Sequence, residues 1–375
     1  MMCVGITVIH LIVNFRHWFP LVGKKRWINP AVLALCIVFS YRVACEAAES
    51  RANRDYKLTT GAYFSASEEK TAFHLFTGPR SSDAVIVDRK SKTIKRLTSR
   101  GTRLLYPFLS IDGQRLLLVR QHADTGQSEL LSCVVDSYVC RELFNSADSI
   151  ADPVELDKDR VVYISSPLSE FKQRRSRYVR HDIWLFNGER SRRIADLQFY
   201  ELRTLCFTSS SVYFSAMGPR SGKEIIPESI ALQPASSDIY SLPFDRSTGS
   251  IAIPDKRLSP LFMAKGISTS VSVVTDESFA AFLRADRTRV GGYRYDLIVQ
   301  NLKTGASRPY ESKGFGFSRP VVVGHTVVVN DLLDDRYVIK SLLPEIASLK
   351  TEVEVTDDEI ARLPVTEITV ENESR

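Results

Sequence analysis

The stretch from Leu104 to Leu143, LLYPFLSIDGQRLLLVRQHADTGQSELLSCVVDSYVCREL, decides the fold. It divides into four short apolar runs, LLYPFLSI, QRLLLVRQ, ELLSCVV and YVCREL, parted by turn residues. Short runs of this kind, without helical spacing, read as strands. The pattern then recurs along the chain. An acidic residue opens a comparable strand at Asp83 (DAVIVDRKSKTIKRLT), Glu129, Asp182 (DIWLFNGERSRRIADL), Asp238 (DIYSLPFDRSTGS) and Asp296 (DLIVQNLKTGASRPY), and a looser copy, RYVIKSLL, begins at Arg336. The intervals between these anchors are 46, 53, 56, 58 and 40 residues. Such a period belongs to propeller blades. A four-stranded sheet cannot bury both faces alone, and radial packing against neighbours solves that. The expectation is therefore an all-β chain, a six-bladed β-propeller of four-stranded blades.

Composition agrees with a globular body. The 375 residues are 44% apolar and 25% charged, which argues against a disordered, collagen-like or polytopic membrane chain. The formal charge of +6 is segregated: residues 346–375 carry a net −5 and residues 1–345 a net +11. Three regions follow, a targeting segment at 1–47, the propeller at 48–345 and an acidic tail at 346–375.

The targeting segment rests on Ala31 to Phe39, AVLALCIVF, preceded by Lys24, Lys25 and Arg26 and followed by Ala44, Ala47 and Ala48. That layout is a secretory signal. The run is shorter than the ~20 apolar residues a transmembrane helix needs, and Arg42 interrupts any extension. Cleavage after Cys45 or Ala47 is the reading adopted, with a short membrane anchor or lipidation of Cys45 as alternatives. Met1 to Val13 forms a second apolar stretch upstream, consistent with a later translation start near Val22 or with a two-part targeting segment.

Cys3, Cys36 and Cys45 lie in that segment, which leaves Cys133, Cys140 and Cys206 in the body. No CxxC pair occurs, so a zinc knuckle is excluded. If Val135 to Tyr138 is a four-residue hairpin loop, Cys133 and Cys140 face each other at a non-hydrogen-bonded site, where a disulfide fits. A two-residue loop would instead move them to the wider site and leave two free thiols.

The run LSIDGQRLLLVRQ, followed by a DIWLF-type strand and an NGE or KTG turn, resembles the propeller repeat of the TolB family. There a Ser-Pro-Asp-Gly turn precedes an apolar strand and an Asp-Ile-Tyr strand follows. The resemblance covers most of residues 58–345, and it departs from the family at Ile111, where Pro is usual. It implies a propeller and weakly constrains function. TolB itself is periplasmic and carries a mixed α/β domain before its propeller, for which too few residues are expected here after the cleavage site.

Motifs for chemistry are scarce. G-x-S-x-G, H-E-x-x-H and a Walker loop are all missing from the sequence. No catalytic residue, metal site or cofactor is assigned. An enzymatic alternative, a polysaccharide lyase or glycosidase at the channel mouth, would draw on His74, His122, His181 and His325, with His122 and His181 on loops of one face. The repeated acids at Asp182, Asp238 and Asp296 are read as acceptors for backbone or hydroxyl groups that fix the entering loop.

The loops between second and third strands all fall on one face, and they are basic. SEFKQRRSRYVRH carries Lys172, Arg174, Arg175, Arg177 and Arg180 against Glu170, a net +4, and Arg284, Arg287, Arg289 and Arg294 form a second group. Together they predict a positive field that binds an anionic partner. The expected function is an exported, non-enzymatic propeller, periplasmic or extracytoplasmic and monomeric. Its partner is an envelope protein, an anionic glycan or a lipid headgroup, with no nucleic acid and no spanning helix. Two extended pieces of the tail, TEVEV (351–355) and TEITVEN (366–372), and the segment near Tyr56 to Thr60 are candidates for a ring-closing strand. The tail's Asp357, Asp358 and Glu359 are also candidates to mask the basic face.

Overall fold

The computed structural model describes residues 63–78, 81–167, 181–199, 201–217, 237–255, 258, 260–261, 267–287, 293–314, 316–333, 336–344 and 348–371. The strands form six consecutive antiparallel units. Unit one comprises Phe64–Ala66, Lys70–Gly78, Ser81–Asp88 and Ile94–Thr98, and unit two Thr102–Leu109, Arg115–His122, Ser128–Val134 and Val139–Ser146. Unit three follows with Ser149–Asp157, Arg160–Ser166, His181–Phe186 and Ser191–Phe199, and unit four with Glu201–Phe207, Ser211–Met217, Asp238–Asp245 and Ser250–Ile251. Unit five holds Ile267–Val273, Phe279–Arg287, Tyr293–Asn301 and Ser307–Tyr310. Unit six has a first strand broken into Gly316–Phe317 and Val321–Val323, then Thr326–Leu332, Arg336–Leu342 and Lys350–Thr356. All five anchor acids lie in third strands.

The apolar run that opened the reading explains the packing. Successive residues of a strand point to opposite faces, so a run without polar interruption must bury both. Leu116 and Leu118 enter a cluster shared with Ala72, Ala84 and Leu97 of unit one. Their alternates Leu117 and Val119 join Ile150, Val161 and Tyr163 of unit three. The same division recurs in unit five, where Phe282 faces Tyr213 of unit four and Leu283 faces Val327 of unit six. The last cluster joins unit six to unit one, with Val328, Tyr337 and Val355 against Phe64, Phe73 and Val85. The row of sheets thereby closes on itself, with the first strands in mutual contact around the centre.

The tail is part of this body. Lys350–Thr356 pairs with Arg336–Leu342 and is the outer strand of unit six. A short helix, Asp357–Arg362, follows, capped by Thr356 and Glu359 in a reciprocal capping box. Val365–Glu367 then adds in parallel to Ile94–Thr98 of unit one, and Thr369–Glu371 to Val139–Ser146 of unit two. Covering outer edges in this way removes unpaired backbone from solvent. Among the described residues, Glu352 of the tail pairs with Arg89 at 2.7 Å and Glu354 with Arg336 at 2.6 Å, while Glu359 serves the cap.

Cys133 and Cys140 are opposed residues of the unit-two hairpin, with Val135 to Tyr138 as the loop, and their sulfurs lie 2.02 Å apart. The Asp-Gly turn of the same unit is held by Ser110, whose Oγ accepts the Arg115 amide at 2.9 Å. Gly113 takes φ +68° there, and a Cβ at this position would meet Ser67 Oγ at 2.8 Å. Ile111, the departure from the family turn, points into solvent and so substitutes freely for Pro.

Candidate functional site

The first strands share a defect at one position. The ladder slips between Leu105 and Phe108, between Arg203 and Cys206 and between Thr269 and Ser272, and the second strand of unit three registers the same slip between Val162 and Ile164. At the four slips Tyr106, Asp152, Thr204 and Ser270 take φ of 50°, 45°, 55° and 58°. Such left-handed residues cost roughly 1–3 kcal/mol each and persist only where surroundings over-determine them. In unit six Arg319 occupies the corresponding gap, and in unit one Tyr63 stands just before the first strand. Tyr106, Asp152 and Arg319 each precede a proline, which lacks the ladder donor and is tolerated at a bulge. A bulge re-aims its side chain.

Six residues are thus delivered to the centre, where Asp152, Thr204 and Arg319 form one bonded group and Tyr63 and Tyr106 pack together. Arg319 Nη1 donates to Asp152 at 3.0 Å and its Nη2 to the Leu205 carbonyl at 3.0 Å. The second Asp152 oxygen accepts the Thr204 amide at 2.8 Å. Two units lie between unit three and unit six whichever way round the row is followed, so this pair meets across the centre. Both side chains are buried, at 11% and 3% exposure. Thr204 and Ser215 hydroxyls lie 3.1 Å apart, and Ser215 also accepts the Ser270 amide at 3.3 Å. Tyr63 and Tyr106 pack edge to face at 4.3 Å, and burial raises both phenols above their usual range. The centre is a bonded plug.

Two of the four body histidines belong to it. His181 Nδ1 accepts the Leu202 amide at 3.1 Å, and burial lowers its pKa. His74 is wholly buried among Tyr63, Phe76 and Tyr106, and among the described residues neither ring nitrogen has a hydrogen-bond partner. Burial lowers its pKa from 6.5 to about 3. Because the unfolded chain takes up this proton near pH 6.5 and the folded one only near pH 3, stability falls as pH drops through that window. The loss approaches on the order of 4 kcal/mol at its acid end. His74→Phe, which keeps an aromatic ring in an aromatic site, is expected to flatten this slope, read from urea midpoints at pH 7 and pH 4.

His122 lies apart from these, bonded to Glu129 at 2.9 Å, and Glu129 also holds Arg120. His122 and His181 share no partner, and among the described residues no group of three His, Cys, Asp or Glu could hold a metal.

The predicted basic groups divide. Lys172, Arg174, Arg175, Arg177, Arg180 and Arg289 lie outside the described residues. Arg287 ends the second strand of unit five. Arg294 is paired with Asp296 at 3.1 Å and reaches Glu311 at 3.9 Å, and Arg284 sits across the ladder from Asp296. The anchor acids Asp83, Asp182 and Asp296 take arginine partners. Asp83 holds Arg96 at 2.6 Å and Asp182 holds Arg193 at 3.1 Å, while Asp296 pairs with Arg294 and also accepts the Ser312 backbone amide at 3.4 Å.

A scan against protein-family models and a search of curated proteins each find no match. Among solved structures, the chain is similar to a luciferin-regenerating enzyme, with a TM-score of 0.52 and 10% identity over 80% of this chain and 95% of that one. It is similar to TolB from Acinetobacter baumannii, with a TM-score of 0.49 and 15% identity over 76% of this chain and 66% of that one. A third likeness is to the β-propeller domain of the trilobed protease from Pyrococcus furiosus, with a TM-score of 0.46 and 9% identity over 78% of this chain and 96% of that one. Fold and comparisons together define an all-β chain with a propeller-like fold. Among the described residues, no helix is long and apolar enough to cross a membrane.

Proposed function

We propose that the six units are six blades of an exported, monomeric propeller that acts by binding, without catalysis, through the loops between second and third strands. The observation that carries this reading is the plug: Asp152, Arg319, Thr204 and Ser215 are committed to each other at the centre, where an enzymatic propeller would need open, reactive groups. Recognition then falls to the loop face, whose densest feature in sequence is Lys172, Arg174, Arg175, Arg177 and Arg180, with Arg287 and Arg289 in unit five. The partner is an anionic glycan, an anionic lipid surface or an acidic envelope protein, drawn by a focused positive field. Export rests on the basic cluster and apolar run before Cys45.

The test uses the secreted chain, whose intact mass reports whether it begins near Glu46. Binding to immobilised heparin and to vesicles containing phosphatidylglycerol is expected to weaken as salt rises, because exposed charges are screened beyond ~8 Å at physiological ionic strength. Arg174→Glu with Arg175→Glu is expected to weaken it a further tenfold or so, since each exposed pair contributes about 0.2–1 kcal/mol and two charges are reversed. Binding indifferent to both salt and reversal overturns the loop-face reading.

A further inference from the structure

A cleft of about 450 Å³ opens between units one and two, a volume suited to a small molecule. Its walls expose polar and apolar surface in similar measure, and the carboxylates of Asp83 and Asp124 belong to its lining residues. Thr77, Ser81, Thr98, Ser99 and Thr102 line it, of which Thr77 donates to Ser81 and Thr102 to the Ser99 carbonyl, together with Arg96 and Arg100. The C-terminal strap completes it, because Val365 lines the cleft and Val365–Glu367 is the strand paired to Arg96, Leu97 and Thr98.

The disposition of Arg96 distinguishes this place from its counterpart. Asp83, 6% exposed, takes Arg96 through Nε at 2.6 Å, which fixes the side chain and leaves the terminal nitrogens of a group with five N–H donors. In unit three the equivalent Arg193 is 48% exposed and is shared between Asp182 and Asp196. Arg96 is only 17% exposed, so it faces the cleft from a desolvated wall. At the rim, Arg100 is met by the Glu367 carboxylate of the strap at 3.4 Å. A carboxylate is thus already seated at the mouth, next to a wall of hydroxyls.

We propose that this cleft binds a small hydroxycarboxylate, whose carboxylate takes the free edge of Arg96 and whose hydroxyl groups bond the Thr and Ser wall, with Glu367 as an intramolecular competitor at Arg100. The chemistry is that of a planar donor fork with a carboxylate, reinforced by neutral hydroxyl bonds. This site is independent of the basic loop face.

Titration calorimetry of the full chain with sodium malate, at ionic strength held constant with sodium chloride, tests it, with inorganic phosphate as a parallel probe. Malate is expected to bind saturably and more tightly than phosphate. Arg96→Gln is expected to weaken malate at least about tenfold, Glu367→Gln to strengthen it, and Arg193→Gln to leave it unchanged. Because Arg96→Gln strands Asp83 at a buried position, Arg100→Gln at the exposed rim serves as the second variant, with about threefold weakening expected. No saturable malate binding, phosphate binding as tight as malate, or equal losses in Arg193→Gln and Arg100→Gln would overturn the proposal.

Discussion

Ending the chain after Pro344 is expected to abolish cooperative folding, and the purified product should show neither a urea transition nor a sharp melting curve. The deletion removes the outer strand of unit six, where Val353 and Val355 are 4% and 0% exposed. It also removes Ile360 of the helix and Ile368 of the strap, at 1% and 7%. Fully burying a Val or Ile side chain contributes roughly 1.5–3 kcal/mol, so these four together are worth about 6–12 kcal/mol. A domain's whole stability is about 5–15 kcal/mol. The cut would in addition expose three strand edges, on units six, one and two. A milder deletion after Pro364 keeps Ile360 and loses Ile368 alone, and it is expected to remain folded with a lowered midpoint. A cooperative transition in the shorter chain at the midpoint of the full chain would show that the tail is a bystander.

The tail shows where the sequence was and was not legible. Its two extended pieces are visible as TEVEV and TEITVEN, and the need of unit six for a fourth strand pointed to one of them. What no pattern indicated was that the second piece splits between two other units, in parallel. Parallel pairing to an outer edge needs only three residues on each side and one buried anchor, Ile368, which leaves almost no periodicity to read. The sheet order was far more legible, because a two-sided core forces unbroken runs such as Leu116 to Val119, and the anchor acids mark the third strands at a steady interval. The basic loops, the most conspicuous charge pattern in the sequence, fall largely outside the described residues, and their role stands as a proposal.

The central plug was missed for a physical reason. A bulge leaves a weak trace, here the Tyr-Pro, Asp-Pro and Arg-Pro pairs at 106–107, 152–153 and 319–320, each inside a run otherwise read as strand. Proline inside such a run signals an irregular ladder. That signal marks where side chains are re-aimed, but not at what, since Asp152 and Arg319 are partners across 167 residues and meet only once the row of units has closed.

Arg319→Ala is therefore expected to be among the most damaging single substitutions in the propeller, at about 3–5 kcal/mol, because removing one member of a buried pair leaves an uncompensated charge. The stranded group is Asp152, which retains only the Thr204 amide. The Leu205 carbonyl loses its donor at the same time. Adding Asp152→Asn to Arg319→Ala removes the buried charge while its side-chain carbonyl still accepts from Thr204, so the double variant should recover a large part of the loss. Arg193→Ala supplies the contrast: it breaks a pair whose arginine is 48% exposed, and such pairs are worth at most about 1 kcal/mol. Urea unfolding of the three variants separates the outcomes. If Arg319→Ala costs no more than Arg193→Ala, the centre is wet rather than plugged and the two charges are screened by solvent.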